Sequence, residues 1–147
     1  MCLYVKQEFK TRKEAREYRN QPQIADKNIR VYKVLQVYRS KTDGISYERH
    51  YLAPHRGMIY KRGKQYSVPG FTFNVDHAYT IGKWRIVISR GLHAYVSEYA
   101  ARKTWSVEIY SKTHAACEMY IPKGAKYYLG KDGEIVSTEL IFKPLPR

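Results

Sequence analysis

A run of alternating side chains, NIRVYKVLQVYRS at positions 28 to 40, is the feature that most constrains the fold. Ile29 and Val31 belong to one set of alternate residues, and Arg30 and Tyr32 belong to the other. Successive side chains of a strand point to opposite faces of a sheet, and β-branched and aromatic residues favour that conformation. The run therefore predicts a long strand with one face in a core.

A hairpin turn is predicted directly after this strand, at Asp43-Gly44. Glycine accepts the positive φ that a two-residue turn requires. The next segment, ISYERHYL, then returns beside the first strand as its antiparallel partner.

The other predicted elements are two short helices and several further strands. The segment TRKE at 11–14 has the spacing of a capping box, which predicts a short basic helix to about Tyr18. Ser97 is a suitable N-cap for a second helix, Glu98 to Lys103. Residues 53–80 are rich in Gly and Pro and indicate loops and short strands. GKWRIVIS predicts the clearest buried strand, and later strand-like runs are WSVEIYS, AACEMYIP, AKYYLG and EIVSTELIF.

These elements predict one domain, residues 1–147, of the α+β class and rich in β-structure. We expect a single twisted and mostly antiparallel sheet, either open or curled into a partial barrel, with one or two short helices. Residues 1–29 would form a basic N-terminal helical extension, and residues 30–147 the β-rich core.

Positive charge is the strongest signal in the composition. Lys and Arg number 27 against 13 Asp and Glu, which gives a net charge of +14. Residues 49–97 hold eight of the basic residues and a single acid, Asp76. A field of this sign attracts polyanions, so nucleic acid or another phosphate-bearing ligand is the expected partner.

Several classes of protein are excluded by the same sequence. The apolar runs are only a few residues long, so no membrane span is expected, and residues 1–10 lack the apolar centre of a signal peptide. Cys2 and Cys117 form no CxxC pair, which excludes a zinc ribbon or a thioredoxin-like motif. We expect free thiols, no metal, no cofactor and a cytoplasmic location.

His93 lies in the segment 89–105, SRGLHAYVSEYAARKTW, at the predicted junction between a strand and the second helix. An imidazole with one nitrogen held by the turn and the other free can act as a general base or hold a ligand. The alternative is a buried histidine that closes the turn, and the neighbouring Val87 and Ile88 favour it. Gly91 is expected to have a backbone role at the strand end.

The central basic region is the predicted ligand site. Histidine and arginine side chains can share contacts to phosphate oxygens, and tyrosines between cations can stack on bases. The alternatives are a solvated loop for the histidines and cross-strand packing for the tyrosines. The tyrosines of this region are Tyr47, Tyr51, Tyr60, Tyr66 and Tyr79. The predicted ligand-binding residues are Arg49, His55, Arg56, Lys61, Arg62, Lys64, Tyr66, Arg85, Arg90 and His93.

Five segments in a fixed order resemble segments of small proteins of unknown function encoded by bacteriophages and prophages. They are VYKVL (31–35), KRGKQY (61–66), GLHAYVSEYAA (91–101), YIPKGAKYYLG (120–130) and GEIVSTELIF (133–142). The resemblance covers roughly residues 30 to 142. It implies a phage gene product that acts inside a bacterium, and it carries over no activity and no catalytic residue.

Three classes of function remain. The first is non-enzymatic binding of nucleic acid or a nucleotide, which needs only the basic and aromatic surface. The second is a metal-independent enzyme that acts on such substrates with His93 as its catalytic group. The third is an inhibitor that docks directly on a bacterial defence protein. We expect the first, with antidefence as its biological setting.

Overall fold

The computed structural model describes residues 3–41, 47–53, 58–77, 82–104 and 114–144. Within these ranges the chain forms helices α1 (Arg12–Tyr18) and α2 (Glu98–Thr104) and a 3₁₀ turn at Lys131–Gly133. None of these helices is long and apolar enough to cross a membrane. The strands are β1 (Leu3–Phe9), β2 (Gln23–Ile24), β3 (Ile29–Lys41), β4 (Tyr47–Leu52), β5 (Ile59–Tyr60), β6 (Gln65–Ser67), β7 (Thr72–His77), β8 (Trp84–Arg90), β9 (Leu92–Tyr95), β10 (His114–Ile121), β11 (Lys126–Leu129), β12 (Glu134–Ser137) and β13 (Glu139–Phe142).

The strands in these ranges form two antiparallel sheets. The smaller sheet has the order β1-β8-β7. The larger has the order β2-β11-β12-β9-β3-β10-β13-β6, with β4 paired to β3 and β5 paired to β4. They do not close into a barrel. The β-rich α+β class is therefore confirmed, with two sheets where the sequence predicted one.

The larger sheet curls around the largest core. Tyr51 on β4 and Phe142 on β13 lie edge to face, with ring centroids 4.9 Å apart. In a flat sheet β4 and β13 would be about 14 Å apart, because β3 and β10 lie between them and neighbouring strands are about 4.8 Å apart. The contact therefore requires a strong curl. The core inside it includes Val31, Leu35, Met119, Ile121, Ile135 and Leu140.

The opposite face of the larger sheet is covered at two places. Val136 on β12 and Tyr128 on β11 pack with Leu3, Ile86 and Ile88 of the smaller sheet. Elsewhere, Ala101 of α2 is fully buried against Val34 and Tyr95. The small side chain of alanine allows the helix to approach the sheet closely.

Both predicted helix starts are confirmed by their caps. The Thr11 hydroxyl oxygen accepts a hydrogen bond from the Glu14 amide at 3.1 Å, and the Ser97 hydroxyl accepts one from the Ala100 amide at 3.0 Å. Each cap satisfies an amide that has no partner within its own helix. Local sequence signals thus set where α1 and α2 begin.

Long-range pairing changes three other predictions. The N-terminal segment, predicted as a helical extension, also contains strand β1, which pairs with β8. The run EIVSTELIF is divided at Thr138 into β12 and β13. His93 lies inside β9 opposite Val136, and not at the junction with the helix. The predicted strand WSVEIYS and the Asp43-Gly44 turn lie outside the described residues.

Gly91 joins the two sheets between β8 and β9, and its φ is +150°. A Cβ atom at this position would overlap Val136 Cγ2 and lie 3.0 Å from Phe71 Cδ1. The predicted backbone role is confirmed, because both the dihedral angle and the lack of space require glycine.

Candidate anion-binding cleft

Two arginines face each other across the antiparallel pair β3–β4. Arg39 is directly opposite Arg49, and both side chains are exposed. Both line a cleft of about 690 Å³, here called the hairpin cleft, whose charged lining residues are Arg39, Arg49, Arg62, Glu118 and Lys143. Like charges directly opposite each other in a sheet are destabilising. An anion bound at these guanidinium groups would relieve that repulsion.

Arg62 is a third arginine of the hairpin cleft, and its position is fixed by its neighbours. Its Nε donates a hydrogen bond to the Tyr51 hydroxyl at 2.8 Å, and its Nη1 donates one to the Lys143 carbonyl at 3.3 Å. Its Cζ lies 4.9 Å from the centroid of the Tyr51 ring and 4.8 Å from that of Phe142. Cation–π contacts and hydrogen bonds together hold the guanidinium in place before any ligand arrives.

Glu118 is the acidic side chain among the described lining residues, and it is already shared between two cations. Its carboxylate lies 2.9 Å from Arg30 Nε and also pairs with Lys143 Nζ. The hydrogen bond to Glu118 raises the pKa of Lys143, so this amine stays charged. Glu118 therefore does little to offset the charges of Arg39, Arg49 and Arg62, and the cleft is cationic.

Cys117 belongs to the core side of the hairpin cleft. Burial raises the pKa of its thiol to about 11, although the charge of Arg62 acts in the opposite direction. A thiol in this state is neutral at physiological pH and is a poor nucleophile, because the thiolate is the reactive form. The chemistry that the cleft offers is therefore electrostatic recognition of an anion.

A second cleft beside α2 has a balanced charge. It has a volume of about 490 Å³, and its charged lining residues are Lys103 and Asp132. Nothing in this lining selects for an anion. The hairpin cleft is the stronger candidate because cations predominate there.

The predicted ligand-binding residues are divided between different parts of the structure. Arg49 and Arg62 meet in the hairpin cleft. Lys61 and Lys64 are exposed and belong to the same turn as Arg62. His55 and Arg56 lie outside the described residues.

Tyr66 is half-buried in the core of the larger sheet. Its ring lies edge to face with Tyr60 at a centroid distance of 4.7 Å, and its hydroxyl accepts a hydrogen bond from the Lys61 amide at 2.6 Å. Tyr51 and Tyr60 are also buried. The described rings of this group therefore pack across strands, as the alternative interpretation expected; the side chains of Tyr47 and Tyr79 lie outside the described part.

Arg85 and Arg90 belong to the smaller sheet. Arg85 on β8 is opposite Asp76 on β7, and their charged groups are 3.5 Å apart. Its Cζ also lies 4.3 Å from the centroid of the Tyr4 ring. Arg90 is exposed at the end of β8. The structure thus places these two residues on a different sheet from Arg49.

His93 is only 9% exposed and lies in the middle of β9. Its carbonyl oxygen accepts a hydrogen bond from Lys33 Nζ at 2.5 Å. It lines neither the hairpin cleft nor the cleft beside α2. The structure therefore favours a role for His93 in packing.

Sequence reasoning missed Arg39 and Lys143 as members of the site. A two-residue turn at Asp43-Gly44 would place Arg39 opposite Glu48, whereas the observed register places it opposite Arg49. The register thus differs by one residue from the predicted one. Lys143 follows β13 and reaches the cleft because β13 pairs with β10, which carries Glu118.

In the described part of the chain, no three His, Cys, Asp or Glu side chains are placed to hold a metal ion. Comparisons with protein-family models, curated proteins and solved structures find no match. The site is therefore interpreted from its own geometry.

Proposed function

We propose that the protein binds nucleic acid or a nucleotide through the hairpin cleft, without chemical turnover. The observation that carries the proposal is the opposed pair Arg39 and Arg49, with Arg62 fixed nearby. Guanidinium groups donate paired hydrogen bonds to phosphate oxygens, and charge-assisted bonds of this kind are about twice as strong as neutral ones. A phosphate group therefore satisfies the cations that the fold has placed together.

Binding without turnover is supported by the state of the two residues best suited to catalysis. His93 is buried within β9. Burial raises the pKa of the Cys117 thiol to about 11, so the thiol stays protonated well above neutral pH. A general base must reach its substrate, and a cysteine nucleophile must ionise. The buried His93 and the protonated Cys117 do not meet these conditions, which favours binding over catalysis.

The biological setting that we propose is antidefence in the cytoplasm of a bacterium infected by a phage. The resemblance of residues 30–142 to phage-encoded proteins supports this setting. A cationic cleft also suits it, because a protein that holds nucleic acid or a nucleotide messenger can keep that ligand from a host defence protein.

The test is to remove two positive charges from the cleft and, separately, two from the smaller sheet. The cleft variant is Arg39→Ser with Arg49→Ser, and the matched control is Lys83→Ser with Arg90→Ser, at exposed positions. The probe is a fluorescent ten-nucleotide oligo-dT, titrated by anisotropy at several salt concentrations. We expect the cleft variant to lose at least about tenfold in affinity, because each lost bond to a charged group is worth roughly 1.5–3 kcal/mol.

The salt dependence gives a second measurement from the same titrations. Each phosphate contact to a single strand adds about −0.7 to the slope of log K against log salt, so the cleft variant should have a slope shallower by about 1.4. The control should keep its affinity within about a factor of two of the wild type and should have the same slope as the wild type. Equal losses in the two variants, or no binding by the wild type, would show that the hairpin cleft is not the ligand site.

A further inference from the structure

Strand alternation places the three arginines of the hairpin cleft on one side of the larger sheet. Arg39 and Arg49 are cross-strand partners, so both point to the same face, and Tyr51 shares that face because it is two residues after Arg49. This is the inner face, since Tyr51 belongs to the core, and the guanidinium of Arg62 lies over its ring. About 7 Å of strand separates Arg49 from Tyr51, a distance that a long arginine side chain can span. The three guanidinium groups can therefore meet on one group of a ligand.

The carboxylate of the cleft points to the other face of the sheet. Cys117 belongs to the core, so the next residue of β10, Glu118, points outward. Its ion-pair partner Lys143 follows Phe142, which is also a core residue, so the pair lies together on the outer face. Among the described lining residues, the inner side of the cleft thus carries three arginines and no carboxylate.

The inner end of the hairpin cleft is closed by the core. Along the inner face of β3, Arg39 is exposed, Val37 is half-buried and Leu35 is 0% exposed. Met119 on β10 and Phe142 on β13 are also fully buried in this core. A ligand that enters past Arg39 therefore meets packed side chains after Val37. The end of a chain can enter such a cleft, whereas a continuous strand has no path through it.

We propose that the hairpin cleft selects a terminal phosphate, the phosphomonoester of a nucleotide or of a strand end, over the phosphodiesters within a strand. This inference rests on the proposed function, because it names which phosphate of that ligand enters the cleft. A phosphomonoester has a charge of about −1.5 to −2 near pH 7 and three strong acceptor oxygens. A phosphodiester has a single charge and fewer free oxygens. Three guanidinium groups match the monoester in charge and in donors. An internal diester reaches Arg39 and Arg49 at the rim, and only a terminal phosphate also reaches Arg62.

The experiment compares two forms of ten-nucleotide oligo-dT, one with a 5′-phosphate and one with a 5′-hydroxyl, each with a fluorophore at the 3′ end. Anisotropy measures the affinity of the full chain for both. We expect the wild type to bind the phosphorylated form at least about tenfold more tightly, since one more hydrogen bond to a charged group contributes that factor or more.

Two variants locate this preference. Arg62→Met removes one charge but keeps an unbranched apolar side chain against Tyr51 and Phe142, and it should bind the two oligomers with nearly equal affinity. The matched control is Lys126→Met, which removes one charge at an exposed position outside the cleft and should keep the wild-type preference. Urea unfolding shows whether both variants are folded, and the wild-type comparison decides the inference even if Arg62→Met is unstable.

Unlabelled dTMP and thymidine, added as competitors, distinguish the two sources of a terminal phosphate. We expect dTMP to displace the phosphorylated oligomer and thymidine to leave it bound. Displacement by dTMP at the same concentration as by unlabelled phosphorylated oligomer would identify a free nucleotide as the ligand. A need for much more dTMP would identify a strand end.

The other outcomes separate this inference from the proposed function. Equal affinity of the wild type for the two oligomers would overturn the selection of a terminal phosphate and leave the proposed function intact. Displacement by thymidine as effective as displacement by dTMP would overturn it too, because the phosphate would then contribute nothing. A full preference for the phosphorylated form in folded Arg62→Met would overturn the role of Arg62. Binding of neither oligomer would overturn the proposed function as well.

Discussion

Arginines occupy comparable strand positions in the two sheets, but their neighbours differ. On the smaller sheet Arg85 is opposite Asp76 on one side and Glu8 on the other. Glu8 also forms ion pairs with Lys83 at 3.8 Å and with Lys131 at 3.1 Å. On the larger sheet Arg39 is opposite Arg49. The first arrangement neutralises charge within the fold, whereas the second places two positive charges opposite each other, where we propose that a ligand binds.

This difference teaches that the net charge of a region does not locate a binding site. Residues 49–97 contribute basic residues to both sheets, and the sequence alone gives them equal weight. Cross-strand register decides which of them have an acidic neighbour. The hairpin cleft is therefore a consequence of strand pairing. Substitutions at the junction of the two sheets, in the core beneath the cleft and at the arginines themselves test this difference between the sheets.

The largest effect is expected where the two sheets are joined. Gly91→Ala places a methyl group against Val136 and Phe71 at a φ of +150°. We expect a loss of about 3 kcal/mol or more in the free energy of unfolding, because steric overlap and an unfavourable dihedral act together. Gly70→Ala is the control, since a Cβ atom there meets nothing within 4 Å. Urea unfolding measures both variants, and similar midpoints for the two would show that the junction is not constrained as described.

The sequence predicted those parts of the fold that depend on neighbouring residues. Thr11 and Ser97 cap their helices because each cap involves an amide only three residues away. The alternation in β3 identified its two faces for the same reason. Strand β1 was missed because its partner β8 is about eighty residues away in the chain, and a short segment such as LYVKQEF carries little signal without that partner.

The candidate site was only half predicted, and the reason is register. Arg49 and Arg62 were identified from local charge, but Arg39 would have been paired with Glu48 by the expected two-residue turn. A shift of one residue moves every cross-strand contact, so it converts an opposite-charge pair into a like-charge pair. Arg85 and Arg90 were included for the same local charge, and only tertiary pairing places them on the other sheet.

An intermediate effect is expected in alkaline solution, from the thiol beside the hairpin cleft. Burial raises the pKa of Cys117 from 9.0 to about 11. As pH rises above 9 the unfolded chain releases this proton before the folded chain does. The contribution of Cys117 to the free energy of unfolding is therefore complete below that pH and is lost progressively toward pH 11. We expect a loss of about 1.4 kcal/mol by pH 10. Urea unfolding of Cys117→Ala should show little of this loss between about pH 8 and pH 10; an equal loss in the variant would assign the titration to another group.

The smallest effect is the most direct test of the comparison, because it reverses one charge in each sheet. Arg39→Glu places a carboxylate opposite Arg49, and a favourable cross-strand pair should raise the free energy of unfolding by about 0.2–1 kcal/mol. The same change should abolish binding of the oligo-dT probe, since it puts a negative charge in the proposed anion site. Arg85→Glu is the matched reversal, and it faces Asp76 and Glu8. It should lower stability and leave binding nearly unchanged.

In the larger sheet the reversal would therefore raise stability and abolish binding, whereas in the smaller sheet it would lower stability and leave binding nearly unchanged. This contrast is expected if the fold tolerates the repulsion between Arg39 and Arg49 because the pair binds a ligand. A loss of stability in Arg39→Glu would show that the two arginines do not repel each other and would remove the physical basis of the cleft.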